Sequence, residues 1–168
     1  SAICYEHAGA GGVSAGTGGG DFDVCAARMG ASGGSNNGGA GAADDGTSNA
    51  NLAIGRNAMG NSVTRNSSVA IGHDALLNGT DRSVAIGGGA GTSLGFDSVA
   101  IGHNAGTSTG THVVAIGRGS GTNAGGSSVV IGEGAGSSVG SGAVAIGRNA
   151  GDNIGNYSIA IGQNAASA

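Results

Sequence analysis

Lysine, proline and tryptophan are absent from this chain, and aromatic residues are reduced to four: Tyr5, Phe22, Phe96 and Tyr157. So few bulky side chains exclude an ordinary globular core. Without lysine, positive charge rests on Arg28, Arg56, Arg65, Arg82, Arg118 and Arg148, which are scattered, and the net charge is −4. No basic run exists to follow a phosphate backbone, so nucleic acid is excluded as a partner. No apolar segment approaches the roughly 20 residues that span a bilayer, so membrane insertion by this segment is not expected. Cysteine occurs only at Cys4 and Cys25.

What the chain has is glycine, 40 of 168 residues, and a strict period. Isoleucines recur at Ile54, Ile71, Ile86, Ile101, Ile116, Ile131, Ile146 and Ile161, spaced by 17 and then by 15 six times. Gly follows each one, and two residues earlier stands Leu52, Val69, Val84, Val99, Val114, Val129, Val144 or Ile159. Between them is Ala, or once Val130. A fixed period this short marks a solenoid, and it argues against disorder from residue 51 onward. The fold class is therefore all-β: a parallel β-roll or β-solenoid of about eight 15-residue coils, behind a Gly-rich N-terminal extension.

Within a coil, Val and Ile share one face of a strand and the intervening Ala takes the other. The isoleucine column is expected to be the core ladder. An isoleucine column scattered across helices, or pointing outward into water, would bring the whole reading down. Three residues past Ile stand Asn57, Asp74, Gly89, Asn104, Gly119, Gly134, Asn149 and Asn164. These types tolerate left-handed backbone angles, so a turn is expected there. One residue further on is a small side chain, Ala in all but one coil. A second Gly recurs nine past Ile at Gly95, Gly110, Gly125, Gly140 and Gly155, and suggests a second short strand and turn per coil. Stacked at about 4.8 Å, eight coils make a rod roughly 38 Å long. The alanine columns would leave a flat face for another copy, so self-association is expected, with a threefold arrangement as the closed solution. The first two coils depart from the pattern at Met59 and at Leu76-Leu77, as end coils do.

Two domains follow: 1–50, an extension outside the register, and 51–168, the repeat. The extension has Gly-rich runs and two strand-like segments, Ala2 to Tyr5 and Phe22 to Cys25. Cys4 and Cys25 are read as a disulfide within it, implying an oxidising compartment and about 3 kcal/mol of stabilisation; two separate thiols are the alternative. With only His7 nearby they fall short of a zinc site.

Val-Ala-Ile-Gly, usually led by Ser and followed by x-Asn-Ala, resembles the head repeat of trimeric autotransporter adhesins; similar repeats occur in phage and viral tail-fibre proteins. The resemblance covers residues 51–168. It implies a left-handed parallel β-roll, a homotrimer, and exposure at a cell or virion surface, with work as an adhesin or fibre.

No catalytic motif and no cofactor site is found. Gly88-Gly89-Ala90-Gly91 is a turn variant of the repeat rather than a phosphate loop. The column two past Ile varies most: Arg56, His73, Gly88, His103, Arg118, Glu133, Arg148 and Gln163. It is either a ligand-contact stripe or, as favoured, a solvated edge. His73 and His103 stand two coils apart, roughly 10 Å, too far to share a metal. Asp44 and Asp45 with Asn49 and Asn51 lack a calcium-loop signature. Sequons stand at Asn66, Asn78 and Asn156.

Three functions follow in order. The first is an extracellular fibre or filament subunit mediating surface attachment. Its last coil runs close to Ala168 without a cap, so the extension of the next subunit is expected to cover it, head to tail. The second is an excised adhesin head or tail-fibre segment binding a host-surface protein or glycan; a chain opening on Ser1 fits a mature or excised product. The third is an ice-binding solenoid, for which Thr92, Thr107 and Thr122 align but Ser137 and Asp152 break the column.

Overall fold

The computed structural model describes residues 51–60 and 67–167. The extension 1–50, with Cys4 and Cys25, lies outside them. Each repeat contributes one three-residue strand: β1 Leu52–Ile54, β2 Val69–Ile71, β3 Val84–Ile86, β4 Val99–Ile101, β5 Val114–Ile116, β6 Val129–Ile131, β7 Val144–Ile146 and β8 Ile159–Ile161. All eight form a single sheet in sequence order, each pair parallel. The register never slips: each position pairs with its equivalent in the next coil, as in Val84↔Val99 and Ile86↔Ile101, and where the repeat varies Leu52 meets Val69, Val130 meets Ala115 and Ala145, and Ile159 meets Val144. The solenoid read from the period is the fold, and no helix is found among the described residues.

The facing of the strands is the reverse of the sequence expectation. The central residue of every strand is buried: Ala70, Ala85, Ala100, Ala115, Val130 and Ala145 are all 0% exposed. The flanking Val and Ile are half-buried along most of the stack, Ile101 reaches 36%, and Ile159 and Ile161 reach 71% and 65%. The isoleucines do form an unbroken ladder, from Ile54 to Ile161, but on the outer face. The reason is the width of the coil. With a single strand per turn, the interior has room only for small groups and a few aliphatics. Ala fills it from the strand; Ala58, Ala75, Ala90, Ala105, Ala135 and Ala150, the small residues four past Ile, meet it from the other side. Leu94, Val139 and partly buried Ile154, eight past Ile, complete the packing. The outward column therefore does not dissolve the solenoid, because the stack is held from within by these shorter side chains.

The expected second strand is not formed. In its place the chain makes a series of turns whose left-handed residues fall one, three, five, seven and eleven past Ile; from Ile101 these are Gly102, Asn104, Gly106, Ser108 and His112. The column three past Ile is left-handed in every coil, with φ between 53° and 66°. Coils still bond to each other on this side, for example Ser108 N–H to Thr92 C=O at 2.8 Å and Asn123 N–H to Thr107 C=O at 2.9 Å. Stacking is thus hydrogen-bonded around the perimeter and not only at the sheet.

Two glycine columns have different reasons. The Gly after Ile has φ of 121° to 135°, and a Cβ on any but the last would sit 2.5–2.6 Å from the next coil's carbonyl oxygen. The Gly nine past Ile is not left-handed; there the backbones of successive coils nearly touch. A Cβ on Gly110 would lie 2.6 Å from the Gly126 nitrogen, and one on Gly125 2.6 Å from the Ser141 nitrogen. It marks a close approach rather than a turn.

A buried serine column, three before Ile, holds coils together from inside. Ser68, Ser83, Ser98 and Ser128 are at most 1% exposed. Ser98 Oγ accepts the Val113 N–H at 2.9 Å and donates to the Phe96 carbonyl at 3.0 Å. Ser128 Oγ accepts the Ala143 N–H at 3.3 Å and donates to the Gly140 carbonyl at 2.9 Å. Each such hydroxyl satisfies backbone groups that would otherwise be costly to bury.

Candidate functional site: the outer sheet face and its two edges

The alternation that turns Ala inward turns Leu52, Ile159 and six valines outward, together with the eight isoleucines. They make one continuous aliphatic stripe along all eight strands. Monomeric soluble proteins rarely expose a contiguous apolar surface of this extent. Along the described strands it carries no polar group able to do acid–base or nucleophilic work.

Two edges border the stripe. On one side, two residues after each Ile, lie Arg56, His73, Gly88, His103, Arg118, Glu133, Arg148 and Gln163. The structure sets them in one column, and all but half-buried Gly88 are exposed. The column is laced by an ion pair between Arg118 and Glu133 of successive coils. The hydrogen bond from that guanidinium holds the Glu133 carboxyl below its usual range. His73 Nε2 lies 3.0 Å from Asp74 beside it, while Asp74 accepts the Asn57 amide at 2.7 Å. The column's histidines are not brought together around a metal, and among the described residues no group of three His, Cys, Asp or Glu is placed to hold one.

The other edge, two residues before each Val, was not singled out from the sequence. There Arg82 clamps Asp97 of the next coil with two hydrogen bonds, Nε to Oδ1 at 2.6 Å and Nη2 to Oδ2 at 2.8 Å. His112 of the coil beyond stands 3.7 Å from the same carboxylate. The Arg82 guanidinium lies 5.9 Å from the centre of the Phe96 ring. Arg82's hydrogen bonds lower the Asp97 carboxyl below the usual carboxylate range, and Asp97 in turn raises the arginine. The signal was present in the sequence: 82, 97 and 112 are fifteen apart, and opposite charges at that spacing must stack.

The turn side away from the sheet is rich in hydroxyl and amide groups, with Asp152 as a charged member that accepts the Ser137 N–H at 3.3 Å. Ser93, Ser108, Asn123, Ser138 and Asn153 are exposed there. Beside them the Thr92, Thr107 and Thr122 hydroxyls donate back to the carbonyls of their own turns.

A parallel β-solenoid of fifteen-residue turns, with an aliphatic sheet face outward and no assembled catalytic group among the described residues, defines the class of repeat rods. The family model that matches is the YadA head domain repeat, with two copies, over residues 93–120 and 154–167. That match and the parallel solenoid together support a repeat similar to the head repeat of trimeric autotransporter adhesins. The matched stretches cover less than half of the chain and both fall inside the stack. No curated protein and no solved structure matches the chain. No helix among the described residues is long and apolar enough to cross a membrane.

Proposed function

We propose that this chain is a subunit of a surface-exposed adhesive rod, in which three copies lie side by side with their outer sheet faces turned toward one another. The observation that carries this reading is the Val/Ile stripe. Burying such side chains contributes about 1.5–3 kcal/mol each, and a second copy of the same flat face is the complementary surface at hand. Three is the number that head repeats of the matched type normally adopt. The alanine columns, expected from sequence to make this contact, are inside the coil, so the contact moves to the valines and isoleucines.

With the sheet faces inward, the hydroxyl- and amide-rich turn side is outermost, and attachment to a host-surface protein or glycan falls to it. The role is mechanical and adhesive, not catalytic, and needs no cofactor. The head-to-tail filament, with the N-terminal extension covering the next subunit, is a further step of the same proposal.

The test is the mass in solution. Ile101→Lys with Ile116→Lys places two charges on the stripe without touching the interior. Light scattering should find the unaltered chain as a trimer and the double variant as a monomer with the same β-type circular dichroism. An unaltered chain that is monomeric at high concentration overturns the reading.

A further inference from the structure

Resting on the reading that copies cover the sheet face, the two edges of that face can be placed against each other. In any closed ring of identical copies around an axis along the stack, one edge of each copy meets the opposite edge of the next. The axis allows no shift along itself, so each strand level meets its own level. Arg82, Val84, Ile86 and Gly88 all reach the outer side at the β3 level, and the corresponding positions do so from β2 to β8.

The two edges are complementary in size or charge at most levels, with β5 the exception. At β3 the long Arg82 would face Gly88. At β6 Ser127 would face Glu133, and at β7 Gly142 would face Arg148. At β4 Asp97 would face His103, a carboxylate against an imidazole. The β5 level sets His112 against Arg118, with Asp97 of the same chain 3.7 Å from that imidazole. The β8 level sets Tyr157 against Gln163.

Gly88 is the telling residue. It is the one glycine in its column, and nothing among the described residues requires it. Its φ is not left-handed, and a Cβ there would meet only the His103 ring at 3.6 Å and the His73 carbonyl at 3.9 Å, ordinary contacts. The missing side chain instead falls at the level where the facing edge carries Arg82.

We propose that copies of this chain pack edge to edge in parallel register, the residue two before each Val of one copy meeting the residue two after the matching Ile of its neighbour. The charged column beside the isoleucines is then a register-setting surface for a second copy. This assigns it a role other than a ligand stripe or a solvated edge.

The experiment uses the full chain. Gly88→Arg is expected to leave the circular dichroism of the fold unchanged and to weaken association about tenfold or more, the effect of overfilling a packed contact. Adding Arg82→Ser to it should restore assembly; adding Arg148→Ser should not. In a second readout, Cys4 and Cys25 are replaced by Ser, and Ser127→Cys with Glu133→Cys is oxidised with copper–phenanthroline. Covalently closed trimers are expected, and none from the out-of-level pair Ser127→Cys with Arg148→Cys. Undisturbed assembly of Gly88→Arg, equal rescue by Arg148→Ser, or equal cross-linking of the out-of-level pair overturns the edge register while leaving the covered face standing. A monomeric unaltered chain overturns both.

Discussion

The first two coils and the later ones fill the same interior from different places. Five residues past Ile, the early coils carry Met59 and Leu76, 1% and 0% exposed, at φ 57° and 54°. The coils from Ile86 to Ile146 carry Gly at that position, Gly91 to Gly151. A left-handed angle costs a large side chain about 1–2 kcal/mol. Full burial of a Leu or Met returns about 1.5–3 kcal/mol, so the exchange is near neutral or favourable where the interior has space. In later coils it has none at this position. A Cβ on Gly106 would lie 2.7 Å from the Ala100 Cβ and 3.1 Å from Leu94 Cδ1. The aliphatic volume there arrives from elsewhere: Val113 from the serine column, Val130 from the strand centre, Val139 from eight past Ile. The lesson is that the repeat conserves an interior volume, not a residue list.

This contrast can be broken by making a later coil imitate an early one. Gly106→Leu combines left-handed strain with overfilling, and is expected to cost about 4 kcal/mol; a thermal melt followed by circular dichroism should show a large drop in Tm. A melt unchanged from the unaltered chain would mean that the later coils have unused room. Next comes Leu76→Ala, which keeps the left-handed angle but empties the early interior. The expected loss is about 3 kcal/mol, from transfer and cavity together, read as a lower denaturant midpoint.

The smallest effect sharpens the comparison on the outside. Asp97→Asn removes the carboxylate between Arg82 and His112. Because Arg82 holds the folded Asp97 carboxyl below its ordinary value, its stabilisation is present above about pH 3.9 and is lost as pH falls through the folded value. The variant should therefore melt slightly lower than the unaltered chain at pH 7, with the gap narrowing as the pH falls through the lowered Asp97 value. A gap that persists in acid would mean that the ion pair is not its source.

Much of this architecture was legible. The strands β2 to β8 coincide with the Val-Ala-Ile triplets, or their Val-Val-Ile and Ile-Ala-Ile variants, and the left-handed column three past Ile was visible from Asn57, Asp74, Asn104, Asn149 and Asn164. What was not legible was which way the strand faces. Period-two alternation says that Val99 and Ile101 share a face, but the choice between inside and outside depends on the coil's inner width. That width follows from having one strand per turn rather than two. The second strand was misread because left-handed angles at Ser93, Ser108 and Ser138 leave no compositional trace. Gly95 and Gly110 looked like turn residues, although their cause is the backbone of the neighbouring coil. Of the candidate site, one edge was visible as a variable column. The other escaped because Arg82, Asp97 and His112 differ in kind and are joined only by their spacing.

The zero slip between neighbouring strands has a consequence for how such a molecule changes length. Since Ile101 and Ile116 are equivalent under one rise along the rod, excising 102–116 would bring Gly117 after Ile101 and leave every lengthwise row of side chains continuous. Gain or loss of material in whole multiples of fifteen alters reach without altering cross-section, whereas loss of a single residue would throw every later row out of line at once.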